Sequence, residues 1–312
     1  MKLSGIIKGI AVGLTLSLAG CIDAPAPRSP GAGTDSAQPS AQSRALKTYY
    51  ARLQADLLAQ GLLRSGGGGP DTPFTADLLA RNFEAIAFFD EYERGAGLRA
   101  SRAGAGVLRR WKEPVRVAVQ FGPDVPAAQQ SQDLATISNY VARLQRVTGH
   151  PMSMRGRDAN FHVLIMSEDD RATMLARVRQ IVPNINPASM QVIQNIPRSI
   201  HCLVLAFSDI RVDHNYAKAI AIIRAEHPDL LRKSCVHEEI AQGLGLANDS
   251  PAARPSIFND DDEFALLTTH DEMLLKILYD RRLHAGISAE AARPIIRQIA
   301  RELTGEKAGG SS

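Results

Sequence analysis

The sequence predicts an α+β domain in which helices cover a small mixed sheet, with a helical extension on its N-terminal side. Two observations carry this prediction. Strand-like and helix-like segments follow one another in the order strand, helix, strand, helix, two strands and then two or three helices. Two further helical patterns precede the first strand. This order is typical of one sheet covered by helices.

The two helices of the extension are predicted from apolar residues that recur near helical spacing, over residues 43–64 and about 75–94. Four glycines and a proline at 66–70 indicate a flexible joint between them. A phosphate-binding loop is the alternative for these glycines. No Gly-Lys-Ser/Thr follows them, so the joint is favoured.

The sheet is predicted from segments that alternate or are continuously apolar. These segments are 115–121, 161–166, 202–207 and 219–223. The last two flank residues 209–215, so they are predicted to pair as a hairpin.

The covering helices are predicted from helical periodicity between and after the strands. They are 130–148, Ser167 to about 181, 228–246, 270–279 and 288–303. Ser167 is followed by three acidic residues, which is typical of a capped helix start.

The first twenty residues have the layout of a secretory signal peptide, since lysines precede an apolar run too short to span a bilayer. Leu18-Ala19-Gly20-Cys21 then resembles the bacterial lipobox, whose cysteine is acylated and becomes the new N-terminus. The resemblance implies that membrane lipid holds the mature chain through Cys21. Ile22 lies where an aspartate would favour the inner membrane, so the outer membrane, facing the periplasm, is expected. An ordinary signal peptide with an incidental cysteine is the alternative.

Five segments are therefore expected along the chain. They are a signal peptide at 1–20, a disordered tether at 21–43, the helical extension at 44–107, the main domain at 108–285, and a C-terminal helix and tail at 286–312.

Charge gives no argument for a nucleic-acid partner. The formal net charge is +3, and loss of Lys2 and Lys8 with the signal peptide lowers it to +1. Aromatic residues make up 5% of the chain, and no stacking platform stands out.

Two cysteines remain once Cys21 is set aside, and export would place them where disulfides persist. An even remainder predicts a bridge between Cys202 and Cys235. Two buried free thiols are the alternative.

The segment from Cys235 to Asp249 has the densest chemical signal in the chain. On a helix, Glu238 and Gln242 share one face, with Glu239 one step round, while the apolar Val236, Ile240 and Leu244 share another face. A buried helix that presents a carboxylate and an amide is one interpretation. A solvated acidic face with a C-terminal glycine cap is the other.

This spacing resembles the metzincin zinc-protease signature H-E-x-x-H-x-x-G-x-x-H, and most closely its matrixin branch. On that pattern the three zinc-ligand positions are occupied by Glu238, Gln242 and Asn248. Glu239 lies at the position of the general base, and Gly245 lies at the position of the turn glycine. The resemblance implies a metzincin-like fold, with these residues in one cleft.

The likeness extends over residues 108–283. Ser256-Ile257-Phe258 lies where matrixins have the Met-turn, and Thr268–Tyr279 resembles their closing helix. The chain is also similar to a proteobacterial lipoprotein family of unknown function that reads E-E-(I/L)-x-Q-x-L-G-L-x-N-D.

All three histidine ligands of the metzincin signature are replaced in this chain. Zinc accepts carboxylates, but neutral amides such as those of Gln242 and Asn248 are poor ligands. No cofactor is therefore expected, and zinc is the only metal that the resemblance leaves open. Glu239 alone keeps its identity, as a catalytic residue if the protein is active.

Four nearby residues are accessory candidates. His237 or Asp249 could assist Glu239, and His270-Asp271 could supply ligands from the last helix, although Asp271 also suits a helix cap. Residues 260–263 form an acidic run without the glycine and spacing of a calcium-binding loop, so a solvated turn is favoured.

Two functions remain open at this point. The first is an inactive or non-classical pseudo-enzyme that binds a peptide, a protein or a cell-envelope partner in the former substrate cleft. The alternative is a periplasmic hydrolase, a peptidase or amidase, with an unusual metal or carboxylate site.

Overall fold

A computed structural model of the chain describes residues 38–67, 69, 72–92, 97–99, 101–209, 212–259 and 261–306. The signal-like segment and Cys21 lie outside these residues, as does Asp260 of the acidic run.

The sheet has six strands and is mostly parallel. Its strands are β1 (Arg110–Trp111), β2 (Val115–Phe121), β3 (Met152–Met154), β4 (Phe161–Met166), β5 (Cys202–Asp209) and β6 (Val212–Arg224). The parallel part runs in the order β6-β4-β2-β3, and β1 pairs in parallel with β6 at Asn215 and Tyr216. β5 pairs antiparallel with β6, from Cys202 opposite Ile223 to Asp209 opposite Val212. Within the described residues no other strand pairs with β5, so its outer side is an edge of the sheet.

Eight α-helices accompany the sheet in the described part of the chain. They are α1 (Ala41–Ala59), α2 (Ala76–Ala87), α3 (Ala127–Thr148), α4 (Arg171–Ile181), α5 (Pro187–Gln194), α6 (Asp229–Gln242), α7 (Thr269–Leu278) and α8 (Ala289–Thr304). Side chains of Ser40, Thr75, Asn186, Thr268 and Ser288 cap five of the N-termini.

Both faces of the sheet are buried, which explains the continuous apolar runs in its central strands. Along β4, Phe161, Val163 and Ile165 pack into the main core with α2, α3, α6, α7 and α8. Leu164 and Met166 point to the opposite face, where α4 and α5 cover them. The predicted small mixed sheet covered by helices is confirmed.

The long elements were predicted, although α1 ends at Ala59 and α2 at Ala87, five and about seven residues earlier than expected; the short elements were missed. β2 and β4 have the predicted residues, and β5 and β6 form the predicted hairpin, although β6 starts earlier than expected. β1 and β3 contain only two and three residues, too few for a period to show in the sequence. α5 was also missed, although Asn186 and Pro187 give it a typical start.

The two helices predicted as an extension pack onto the rest of the molecule. α2 packs against α8 and α7 and adds Leu79, Phe83 and Ile86 to the main core. α1 is held by the Ser43 hydroxyl, which donates to the Glu226 carboxylate at 2.8 Å. Residues 37–312 form one compact unit, and the boundaries near 107 and 285 stay predictions. None of the described helices is both long and apolar enough to cross a bilayer.

Candidate functional site

α6 carries the predicted motif and lies against the main-core face of the sheet. Val236, Ile240 and Leu244 are at most 1% exposed, so the apolar face is buried as the sequence predicted. The indole N–H of Trp111 donates to the carbonyl oxygen of Gly243 at 2.8 Å and holds the end of the helix.

Gly245 turns the chain sharply after α6. Its φ is +131°, a conformation that L side chains rarely adopt, and a Cβ there would lie 2.4 Å from the carbonyl oxygen of Arg109. The turn brings residues 247–249 back beside the helix.

The predicted disulfide between Cys202 and Cys235 is present, with a Cα–Cα distance of 5.8 Å. It joins the first residue of the edge strand β5 to the middle of α6. The two elements are therefore covalently fixed next to each other.

A cavity of about 760 Å³ lies along the outer edge of β5, and this volume is typical of ligand sites. Its described walls come mainly from β5, α5, α6 and residues 90–92, 97 and 98. Seven of its described lining residues are acidic: Asp90, Glu91, Asp209, Glu238, Glu239, Asp249 and Asp262. Arg109 is the only lysine or arginine among them, and it forms an ion pair with Asp90.

Glu238 and Glu239 bring two carboxyl groups into this acidic cavity. Glu239 is 3% exposed, and its Oε2 has no hydrogen-bond partner. Burial is the main cause that raises the pKa of Glu239 well above its ordinary range, and the charges of Asp249 and Glu91 add to the effect. Burial, Asp249 and Glu239 raise the pKa of Glu238 in the same direction. Each carboxyl group therefore disfavours its charged form when no cation is near.

The third ligand position differs from the prediction. Asn248 donates its side-chain N–H to the carbonyl oxygen of Ala85 at 2.9 Å and does not line the cavity. Asp249 lines it instead, and its carboxylate accepts a hydrogen bond of 3.0 Å from Gln242. After the turn at Gly245, Asp249 and not Asn248 returns to the cavity, so the third ligand position that the metzincin resemblance implied is not reproduced.

His237 is not an accessory to the site. Its ring stacks on Tyr140 at 4.0 Å between centroids, and its Nδ1 accepts a hydrogen bond from the Leu267 backbone N–H. Burial lowers the pKa of His237 to about 3. It is a neutral core residue that points away from Glu238.

His270 and Asp271 also lie outside the cavity. His270 is fully buried, with Nε2 3.1 Å from the Asn82 side-chain amide. The Asp271 carboxylate caps α7 through Thr268 and accepts hydrogen bonds from the Ser256 hydroxyl and the Ile257 backbone N–H, at 2.6 and 3.1 Å. The capping alternative is therefore correct, and Asp271 also anchors the segment that resembles a Met-turn.

The donor atoms at this site do not fit zinc. Among the described residues, Cys202, Glu238 and Glu239 place one potential ligand atom each within 4.8 Å of one another. The Cys202 sulfur belongs to a disulfide and offers no thiolate. Two carboxyl groups remain, and none of the described histidines joins this group, although His201 lines the same cavity; two carboxyl groups alone are a set that zinc does not prefer.

Several cavity residues were missed in the sequence. Tyr92 is hydrogen-bonded to the side chain of Glu91, and both were predicted to lie in the second helix, which ends earlier, at Ala87. Asp262 belongs to the acidic run that was assigned to solvent. The acidity of that run was a usable signal, whereas nothing in the sequence linked Glu91 or Arg109 to α6.

No curated protein and no solved structure matches the chain. A family model does match, over residues 76–298, and its description is protein of unknown function (DUF2927). The match includes α2, the whole sheet, α6 and α7, and therefore every element of the cavity described above. The chain belongs to the DUF2927 family.

Proposed function

We propose that this protein is a lipid-anchored protein of the cell envelope that binds an extended peptide segment along β5, in the cavity between β5 and α6. The observation that carries the proposal is the unpaired edge of β5, which forms a wall of the acidic cavity. An exposed strand edge pairs readily with an added strand through main-chain hydrogen bonds.

The surroundings of β5 favour a defined ligand over uncontrolled strand pairing. Residues of α5 and α6 line the same cavity as β5, so a segment that pairs with the edge also contacts these helices. The disulfide from Cys202 to Cys235 holds β5 and α6 at a fixed spacing. A preformed site of this kind loses little entropy on binding.

The resemblance to metzincins supports the same ligand class. The two adjacent glutamates of α6 face a cavity bounded by an antiparallel edge strand, beside a glycine turn. The histidine ligands are absent, so the cleft would serve binding without zinc-dependent cleavage.

Selection from a displayed random-peptide library tests the proposal. Each selected peptide is then N-methylated at one backbone nitrogen at a time. Strand addition predicts that methylation at alternate positions weakens binding at least tenfold, because only alternate N–H groups face β5. Equal binding by all methylated forms, or no selected peptide at all, would overturn it.

Anchoring through Cys21 is a separate part of the proposal and rests on the lipobox-like residues 18–21. Cys21→Ser should abolish acylation and leave an uncleaved or mislocalised precursor. Intact-mass measurement of the membrane-extracted protein checks this. A wild-type N-terminus that is unmodified and lies elsewhere would refute it.

A hydrolase is the second candidate, and one observation favours it. The buried Glu239 Oε2 lacks a partner, and a raised pKa in a cleft is typical of a general acid or base. Mass spectrometry of the selected peptides after incubation with the protein would reveal cleavage. Cleavage that disappears in Glu239→Gln would establish this candidate.

A further inference from the structure

Among the described residues that line the cavity, acidic side chains outnumber basic ones by a wide margin. Seven acidic side chains and one arginine line its described part, and that arginine, Arg109, already pairs with Asp90. The acidic turn beside the cavity also has its own partners, since Glu263 binds Arg64 and Arg254. These guanidinium groups are therefore engaged away from Glu238 and Glu239.

A second observation points to a missing hydrogen-bond donor. The side chain of Glu239 is 3% exposed and lines the cavity, yet its Oε2 accepts no hydrogen bond. A buried acceptor without a donor is unfavourable, and most such groups in folded proteins are satisfied. A ligand that carries N–H donors and positive charge would supply what the site lacks.

The apolar walls of the cavity indicate which kind of positively charged ligand fits it. Leu98, Val192 and Ile200 line it together with the side chains of β5. A bare metal ion needs convergent oxygen atoms and makes no use of apolar walls. A ligand side chain with a long aliphatic stem and a positively charged tip would place the stem against the apolar walls and the tip among the acidic residues.

We infer that the acidic end of the cavity, formed by Glu238, Glu239 and Asp249, binds the side-chain amine or guanidinium of a lysine-like or arginine-like residue in the ligand. This inference rests on the proposed peptide binding and specifies the ligand class. The aliphatic stem lies along β5 and α5, and the cationic group donates to the carboxylates, including Glu239 Oε2. The main chain of the ligand pairs with the edge of β5.

The test uses the mature full-length protein in detergent and four fluorescent peptides, acetyl-Thr-Val-Xaa-Val-Thr-amide. Xaa is lysine, acetyl-lysine, norleucine or glutamate. Fluorescence anisotropy should give a Kd for the lysine peptide at least tenfold lower than for the other three. Glu239→Gln should reduce this preference to about twofold or less.

Two further variants keep the test decisive. Asp249→Asn removes a charge at the same end and should also weaken the lysine preference, which covers the case in which Glu239→Gln fails to fold. Glu113→Gln, at an exposed glutamate outside the cavity, should leave the preference intact. Far-UV circular dichroism of each variant checks the fold.

The outcomes separate the inference from the proposed function. Equal affinity for all four peptides would overturn the cation preference and leave strand addition standing. If no peptide binds, strand addition fails, and Nα-acetyl-lysine methyl ester, whose side-chain amine is free, then tests the acidic end alone. Saturable binding of this amine, lost in Glu239→Gln, supports the inference, and absence of binding overturns it. Stoichiometric binding of calcium or manganese that excludes the lysine peptide would assign the site to a metal ion instead.

Discussion

Replacing Glu239 by glutamine should change how stability depends on pH. Burial and neighbouring charges raise the pKa of Glu239 well above its ordinary value of 4.5, which applies in the unfolded chain. At a pH between the unfolded-state pKa and the higher folded-state pKa, Glu239 is protonated in the folded protein but has released its proton in the unfolded chain. The free energy of unfolding of the wild type therefore falls as pH rises through this window. Glutamine does not titrate, so the variant loses this dependence.

The size of the effect follows from the proton count. One proton held only by the folded state changes the free energy of unfolding by about 1.4 kcal/mol per pH unit. Glu239 is 3% exposed, so solvent screening reduces this little. Glu239 also contributes to the raised pKa of Glu238, so its removal relieves that carboxyl group too. Within the window between the unfolded and folded pKa values, Glu239→Gln should therefore gain about 1.4 kcal/mol relative to wild type for each unit of rising pH.

Urea unfolding followed by far-UV circular dichroism, at pH 5, 6, 7 and 8, measures this difference. Glu113→Gln is the matched control, because Glu113 is exposed between β1 and β2 and should show the wild-type slope. Parallel pH profiles for wild type and Glu239→Gln would refute the reasoning and mean that Glu239 is ionised in the folded protein. A bound cation would produce that result, so the measurement is made with and without a chelator.

Three further substitutions test other parts of the site. Changing Cys202 and Cys235 together to serine should lower the free energy of unfolding, measured with urea, by about 3–4 kcal/mol, because the bridge closes a loop between residues separated by 33 positions. No loss would mean that the bridge does not form. Asp271→Ala leaves several buried donors without an acceptor, so the free energy of unfolding should fall by about 3 kcal/mol or more and calorimetry should show a lower melting temperature. A fall below about 1 kcal/mol would contradict the anchoring role of Asp271. Gly245→Ala should lower the free energy of unfolding by about 2 kcal/mol and weaken peptide binding, because the new Cβ would press on the Arg109 carbonyl oxygen. A variant with unchanged stability and binding would show that the turn accepts a side chain.

The fold could be predicted where periodicity is long enough to show a face. β2, β4 and α6 contain buried runs, and the predicted bounds of the two strands match the structure. β1 and β3 could not be found this way, because they owe their existence to pairing with distant strands.

The site could be predicted only within one helix. Glu238, Glu239 and Gln242 share a turn of α6, so helical spacing was enough to bring them together. Beyond Gly245 helical spacing gives no guidance, and the metzincin pattern pointed to Asn248, whereas Asp249 lines the cavity. Glu91 and Asp262 come from segments far from α6 in sequence, and only tertiary packing brings them near it.

Trp111 gives the protein an internal optical reporter. It is the single tryptophan of the chain and is 1% exposed, so its fluorescence emission should be blue-shifted and shielded from soluble quenchers. Its indole is bonded to the end of α6, and its ring centroid lies 6.2 Å from that of Tyr216, which lines the cavity. Movement of α6 or occupation of the cavity would therefore be readable in the emission of the unlabelled protein.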